Sequence, residues 1–389
     1  MTEQFQIRII SSLEDVDASA WNGLLADRPL NPFVTHEFLL ALEKSGSAMA
    51  KTGWLGQHLL LETGDGELLG ALPCYLKNHS QGEYVFDYGW ADAFERAGGQ
   101  YYPKLQCSVP FTPATGPRFL IPHGENRKAR LTAMIQGLKQ LCEKLGVSSA
   151  HITFMEDEDW RFAGAADYLQ RTDQQFHWLN DGYQDFDDFL AALSSRKRKN
   201  IRKERKTALN GNGISIELLH GPKISDEIWD RFFAFYMDTG SRKWGTPYLT
   251  RKFFSLVAES LGERVLLVMA KRNDEYIAGA INFIGDECLY GRHWGCLEYH
   301  PCLHFEVCYY QAIEYAINNG LTRVEAGAQG PHKLARGYMP VTTYSAHWIT
   351  HPGLRHAVAD YLVHERREVA RHNEILSEHA PFRKENYTP

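Results

Sequence analysis

The chain repeats one run of structural signals, and that repetition restricts its fold more than any other feature. In the first half, residues 57–76 (QHLLLETGDGELLGALPCYL) read as two strands joined by a Gly-Asp-Gly turn. In the second, residues 263–284 (ERVLLVMAKRNDEYIAGAINFI) read the same way around Arg-Asn-Asp-Glu. Gly70-Ala71 and Gly279-Ala280 fall at matching places in the second strand of each pair. Further on, residues 131–145 have helical spacing, stop at Gly146 and precede a strand at 150–155. Residues 303–319 likewise stop at Gly320 before a strand at 322–326. A glycine just past a helix can take the left-handed conformation that ends it. Such a helix can join parallel strands by a right-handed crossover. The reading is a duplicated α/β (α+β) domain, divided into 1–180 and 181–389, with LNDGYQ as linker. One helix over 185–210 opens the second half, burying Phe186, Phe189, Leu190, Leu193 and Ile201. Another closes it, from Gly353 to about Ser377.

A chain of 389 residues exceeds one ordinary core, which agrees with two domains. No apolar run approaches the ~18 residues of a membrane helix. The start, MTEQFQIRII, lacks the basic and apolar regions of a secretory signal. The seven cysteines form no CxxC pair, and Cys296, Cys302 and Cys308 are six apart, which is no zinc-ribbon spacing. Free thiols in a cytoplasmic protein are expected.

Charge is concentrated. The chain has 42 Lys+Arg against 48 Asp+Glu, a net −6. Residues 196–206 (RKRKNIRKERK) alone hold eight basic side chains and one acidic one, a local +7. The remainder therefore carries 34 basic and 47 acidic groups, or −13, which argues against a general nucleic-acid coat. On a helix Arg198, Arg202 and Arg205 form one stripe and Lys199, Lys203 and Lys206 the next. These like charges repel. Either phosphate contacts offset the repulsion, with Arg198, Lys199 and Arg202 binding an anion, or the stripe is a solvated face.

Three other segments carry candidate chemistry. In EAGAQGPHKLARGYMP, the small residues Gly327, Ala328 and Gly330 leave backbone accessible, Gly327, Gln329 and Gly330 are substrate-binding candidates, and Pro331 suits a helix start. His332, Lys333 and Arg336 then add cations suited to a phosphate, a carboxylate or a developing oxyanion. The alternative is a tight turn with exposed charges. In residues 87–118, rich in Gly, Pro and aromatics, Tyr101, Tyr102, Lys104 and Arg118 could wall an acceptor groove, or pack a loop. In YGRHWGCLEYHPCLHFEVC, His300 and His304 lie four apart near Glu306, without HExxH spacing or an evident third ligand, so no metal is expected. There is no GxGxxG after a first strand, no GxxxxGK[ST] and no GxSxG, which excludes nucleotide-driven chemistry and a serine elbow. A thioesterase or amidase lacks a nucleophile–base pair.

Several stretches resemble the FemAB-like group within the Gcn5-related N-acetyltransferase superfamily. They are SSRKRKNIRKERKTAL before ISIELL, FYMDTGSRKWGTPYLTRKFF, LYGRHWG followed by HFEVCYYQAIEYAINNGLTRVEAG, and KLARGYMP. The motifs YYPKLQ, PFTPATGPR and GAQGPHKLARGYMP resemble a branch of N-acyltransferases and extend the likeness over most of the chain. The resemblance implies tandem Gcn5-related N-acetyltransferase-like domains, each a mixed, mostly antiparallel sheet flanked by helices. It implies transfer of an acyl or aminoacyl group from aminoacyl-tRNA or an acyl thioester such as acyl-CoA to a small-molecule or peptide amine. No bound cofactor is required. Arg336 matches a cationic position before the family's Gly-aromatic pair, and Arg242 and Trp244 fall in a substrate-side turn. Glu325 or Glu306 would accept the amine proton. Arg336→Ala is expected to leave the fold intact and remove transfer. The family's R/Q-x-x-G-x-G/A loop is altered here, with Leu297 at its last place. The rival reading is a non-catalytic module that binds tRNA or an anionic metabolite.

Overall fold

The computed structural model describes residues 5–209, 213–243, 247–327 and 330–383. It forms two compact units, Met1–Asp173 with Thr342–Ala370, and Gln174–Val341 with Arg371–Pro389. The expected division at 180/181 is therefore corrected, because the chain returns to its first unit near the end. The reason is strand pairing. In Met339–Ile349, residues Tyr344 to Ile349 pair antiparallel with Ser149–Met155, so the hydrogen bonds assign them to the first unit.

In the first unit, Phe5–Ile10, His58–Thr63 and Leu68–Leu72 form a three-stranded antiparallel sheet. The expected hairpin is its second and third strands. A second sheet contains Tyr75–Lys77, Lys104–Cys107 and Ser149–Met155. Its last two strands are parallel and are joined through the helix Arg127–Leu145, which ends at Gly146 with φ +62°. Leu131, Met134, Ile135 and Leu138 of this helix bury against Leu59, Leu61, Leu105 and Ile152. Alternation in the strands and helical spacing between them thus meet in one core.

In the second unit, Ile214–His220, Val265–Arg272, Glu275–Ile284 and Cys288–Cys296 make an antiparallel meander. Asn273 and Asp274 both have positive φ, the geometry of a tight two-residue hairpin turn. Arg323–Glu325 adds in parallel to Cys288–Cys296, and its other edge pairs with His177 to Leu179. The parallel crossover passes through helical residues Leu303 to Asn318, with a π-helical stretch at Glu306–Tyr310. The helix expected over 185–210 is two helices, Phe186–Ala192 and Ser195–Leu209. Leu193 is extended between them and bridges Phe382, which draws the backbone out of the helix. Pro352–Glu378 is the expected closing helix. No helix among the described residues is long and apolar enough to cross a membrane.

Candidate functional site

The parallel pairing of Cys288–Cys296 with Arg323–Glu325 stops after Tyr290↔Glu325. On its other side the register shifts between Ile281 and Asn282, leaving Arg292 as the extra residue of a β-bulge. A bulge bends its strand. Residues Gly291 to Cys296 form no further pairs with Arg323–Glu325. Along this released stretch lies a cleft of about 330 Å³, lined by Thr239, Trp294, Cys296, Glu298, His300 and His304 among others. Thr239 arrives on the helix Asp226–Lys243. That helix crosses at Gly295, where a Cβ would lie 2.0 Å from Phe235 O, so only glycine permits the contact.

Beyond His304 the surroundings are aromatic. The His304 ring lies 5.2 Å from Trp294, 5.3 Å from Tyr309 and 6.3 Å from His332. Tyr309 Oη and His332 Nε2 are hydrogen-bonded at 2.9 Å. His332 is exposed, as a ligand contact requires. Lys333 and Arg336 are not. Lys333 is buried and its Nζ donates to Ala326 O (2.5 Å) and Gly327 O (2.9 Å). It clamps the turn that carries the chain away after Glu325. Burial pulls its ammonium down to about 8. Arg336 is buried with its guanidinium 3.4 Å from the Phe305 ring centre. Its Nη1 donates to His332 O, and its Nη2 to both carboxylate oxygens of Glu204 at 2.9 Å. Glu204 also accepts from Tyr310 Oη.

The two acids differ. Glu306 is fully buried and held by Arg205 and Gln311, so it is an anchor for the basic helix rather than a free proton acceptor. Glu325 is the last paired residue before the strands separate. Its Oε1 accepts from Arg323 Nε at 3.3 Å. Its Oε2 has no hydrogen-bond partner among the described residues, with His177 Nε2 3.9 Å away. Gly327 and Gly330 stand half-buried beside it. Gln329, Trp244 and the side chain of Arg242 lie outside the described residues.

On the basic helix, Arg205 turns inward over the Phe186 ring, and Arg202 pairs with Asp187 at the surface. Lys199 is exposed and Arg198 half-buried, and neither side chain makes an ion pair with a described residue. Sequence reasoning passed over Glu204, Phe305 and Tyr309. Glu204 had a signal, being the single acid within the basic run.

The expected groove of Tyr101, Tyr102, Lys104 and Arg118 is corrected by burial. Arg118 is buried and spends its donors on the carbonyls of Ala114, Gly116, Pro117 and Thr153. Lys104 Nζ is fully buried and donates to Ser80, Glu83 and Asp87. Tyr101 Oη donates to Asp87, and half-buried Tyr102 meets Ser80. Burial disfavours the charged Lys104, yet the two carboxylates overcome it and raise its pKa. Nearby, buried His151 and His347 meet Nδ1 to Nδ1 at 2.7 Å. One ring must donate and the other accept. Burial pushes His151 down to about 3 and His347 well below its ordinary value. The unfolded chain takes up these protons near pH 6.5, whereas the folded one excludes them until about pH 3. Stability should therefore fall as pH drops through that window. The His151→Gln/His347→Gln double variant should show a flatter fall of Tm between pH 6.5 and 4.

A family model, FemAB-like, described as peptidoglycan biosynthesis/recognition, matches residues 12–384. No curated protein matches the chain significantly. The crystal structure of FemX aligns at 13% identity and TM-score 0.54, covering 91% of this chain and all of that one. The C-terminal domain of a putative lysylphosphatidylglycerol synthetase from Agrobacterium fabrum aligns at 10% identity and TM-score 0.50, covering 90% and 97%. A tandem GNAT protein from the clavulanic acid biosynthesis pathway aligns at 12% identity and TM-score 0.48, covering 90% and 99%. At these identities the likeness is one of fold.

Proposed function

This chain belongs to the FemAB-like family, and from that premise we propose that it is an N-acyltransferase. It moves an acyl or aminoacyl group from an activated ester or thioester to an amine. The supporting observation is the cleft along Gly291 to Cys296, where the strand has separated from Arg323–Glu325 and the His304 ring lies 6.3 Å from His332. An extended donor can lie along that stretch while its carbonyl sits in the cleft. The amine nitrogen attacks the carbonyl carbon, forms the C–N bond and expels the alcohol or thiol. Positioning and oxyanion stabilisation supply most of the acceleration. His332, exposed and 6.3 Å from the His304 ring, is the side chain placed to stabilise the oxyanion. Glu325 takes the proton lost by the amine, because its Oε2 accepts no hydrogen bond among the described residues. The leaving group then receives a proton.

The test is transfer to a panel of amines from an aminoacyl-tRNA pool and from acyl thioesters. Glu325→Gln should lower kcat by about 100-fold or more, the usual range for a lost general base, with Tm preserved. Normal turnover by that variant removes Glu325 from the mechanism. The exposed cations of the basic helix favour a second reading, a binding module for tRNA. Steeply salt-dependent tRNA binding without transfer from either donor class would establish it.

A further inference from the structure

We propose that the cleft beside Trp294 receives the acyl group of the donor, and that this group is uncharged, apolar and bulky. The fit is a straight chain of about eight carbons or a single aromatic ring on a short chain. This rests on the transfer reading above and names the substrate class of the same site.

Size comes first. An apolar cavity of roughly 150 Å³ takes one benzene ring. The cleft, at about 330 Å³, holds a ring with its linker, and an acetyl group would leave most of it empty. Its lining comes second. Trp294, Leu303, Tyr299 and His304 present ring and aliphatic carbon. Tyr299 is 87% exposed and the adjoining Leu297 47%, so apolar surface continues onto the loop before the helix. Solvent-facing apolar groups beside a cleft become useful when a ligand covers them.

Charge decides against an ammonium-bearing aminoacyl group. The carboxylate lining the cleft, Glu298, is engaged by Arg272 at 2.6 Å and by His300 Nε2 at 3.1 Å. A ligand ammonium would have to displace them. Thr239 offers the complementary polar feature, since its Oγ1 is buried without a partner among the described residues. One hydroxyl suits the carbonyl end of an acyl group. The phosphate end of a donor is excluded from this place. Three of the first four helical amides are already used, Leu303 N on His300 O, and Phe305 N and Glu306 N on Cys302 O.

The full chain would be titrated by calorimetry with S-acetyl-, S-octanoyl-, S-(3-phenylpropanoyl)- and S-phenylalanyl-pantetheine. Each buried methylene adds roughly fourfold in affinity (about 0.8 kcal/mol). The octanoyl and phenylpropanoyl probes should therefore bind about 100-fold more tightly than acetyl, allowing for incomplete burial. Phenylpropanoyl should exceed phenylalanyl about tenfold, since the carboxylate lining the cleft, Glu298, is already paired with Arg272 and His300. Thr239→Phe should erase the preference at unchanged Tm, and Tyr299→Ala should reduce it severalfold. Equal affinities, tightest binding of the phenylalanyl probe, or no binding of any thioester would overturn the proposal. Transfer of the bound acyl group to amines is scored separately. Selective binding without transfer ends the transfer reading and leaves the cleft assignment standing. Transfer without selectivity does the reverse.

Discussion

Arg336→Ala should lose transfer and about 2–3 kcal/mol of stability together. The residue is buried on the Phe305 ring and bonded to both oxygens of Glu204. Truncation strands that carboxylate against Tyr310, loosens the basic helix and frees the His332 carbonyl. Breaking a fully buried pair costs about 3–5 kcal/mol, and Glu204 is partly solvated, so the loss is discounted. The expectation that the fold would survive Arg336→Ala unchanged therefore needs revision. Urea unfolding gives the stability. Glu204→Leu/Arg336→Met removes both charges and should return stability to within about 1 kcal/mol of wild type. If transfer returns with it, Arg336 is a positioning residue for the His332 turn. If transfer stays absent, the charge of Arg336 is itself needed for transfer.

Lys104→Met should be costlier still, about 3–5 kcal/mol, with unfolding of the first unit as the outcome. Lys104 has no solvent exposure and bridges Glu83 at 2.7 Å and Asp87 at 2.5 Å. Burial disfavours the Asp87 carboxylate, but Lys104 and His151 overcome that and hold its pKa far below the ordinary range. Lys77 is a poor substitute partner. It lies 3.3 Å from Glu83 over the Trp54 ring, and burial already pulls its pKa down to about 7. Without Lys104 two buried carboxylates lose their main counter-charge. Lys104→Met/Glu83→Gln/Asp87→Asn should recover much of the lost Tm. A groove-lining lysine would behave otherwise, raising KM and leaving unfolding unchanged.

The corrections share one origin. Sequence reading treated each cation as reaching outward, because Lys and Arg are mostly exposed. Lys104, Arg118, Lys333 and Arg336 are instead buried, each with partners distant in sequence or on turned backbone. Glu204 meets Arg336 across 132 positions, and Lys104 meets Asp87 across 17 positions that hold the helix Tyr88–Arg96, where the sequence reading expected only a loop. No spacing rule reports such pairs. The exposed members of the basic run, and His332, stand where local reading placed them.

Hydrophobic period and glycine punctuation were enough to determine the two hairpins, the two helix-to-strand crossovers and the basic helix, since these signals act within a few residues of one another, while the family resemblance rested on longer motifs such as GAQGPHKLARGYMP. Tertiary structure alone decided that Tyr344 to Ile349 completes the first unit, that Leu193 breaks the opening helix, and that the strands part after Tyr290. It also decided which charges face a ligand. Those outcomes depend on hydrogen bonds and burial between segments far apart in the chain, and desolvation makes an unpaired buried charge too costly to remain.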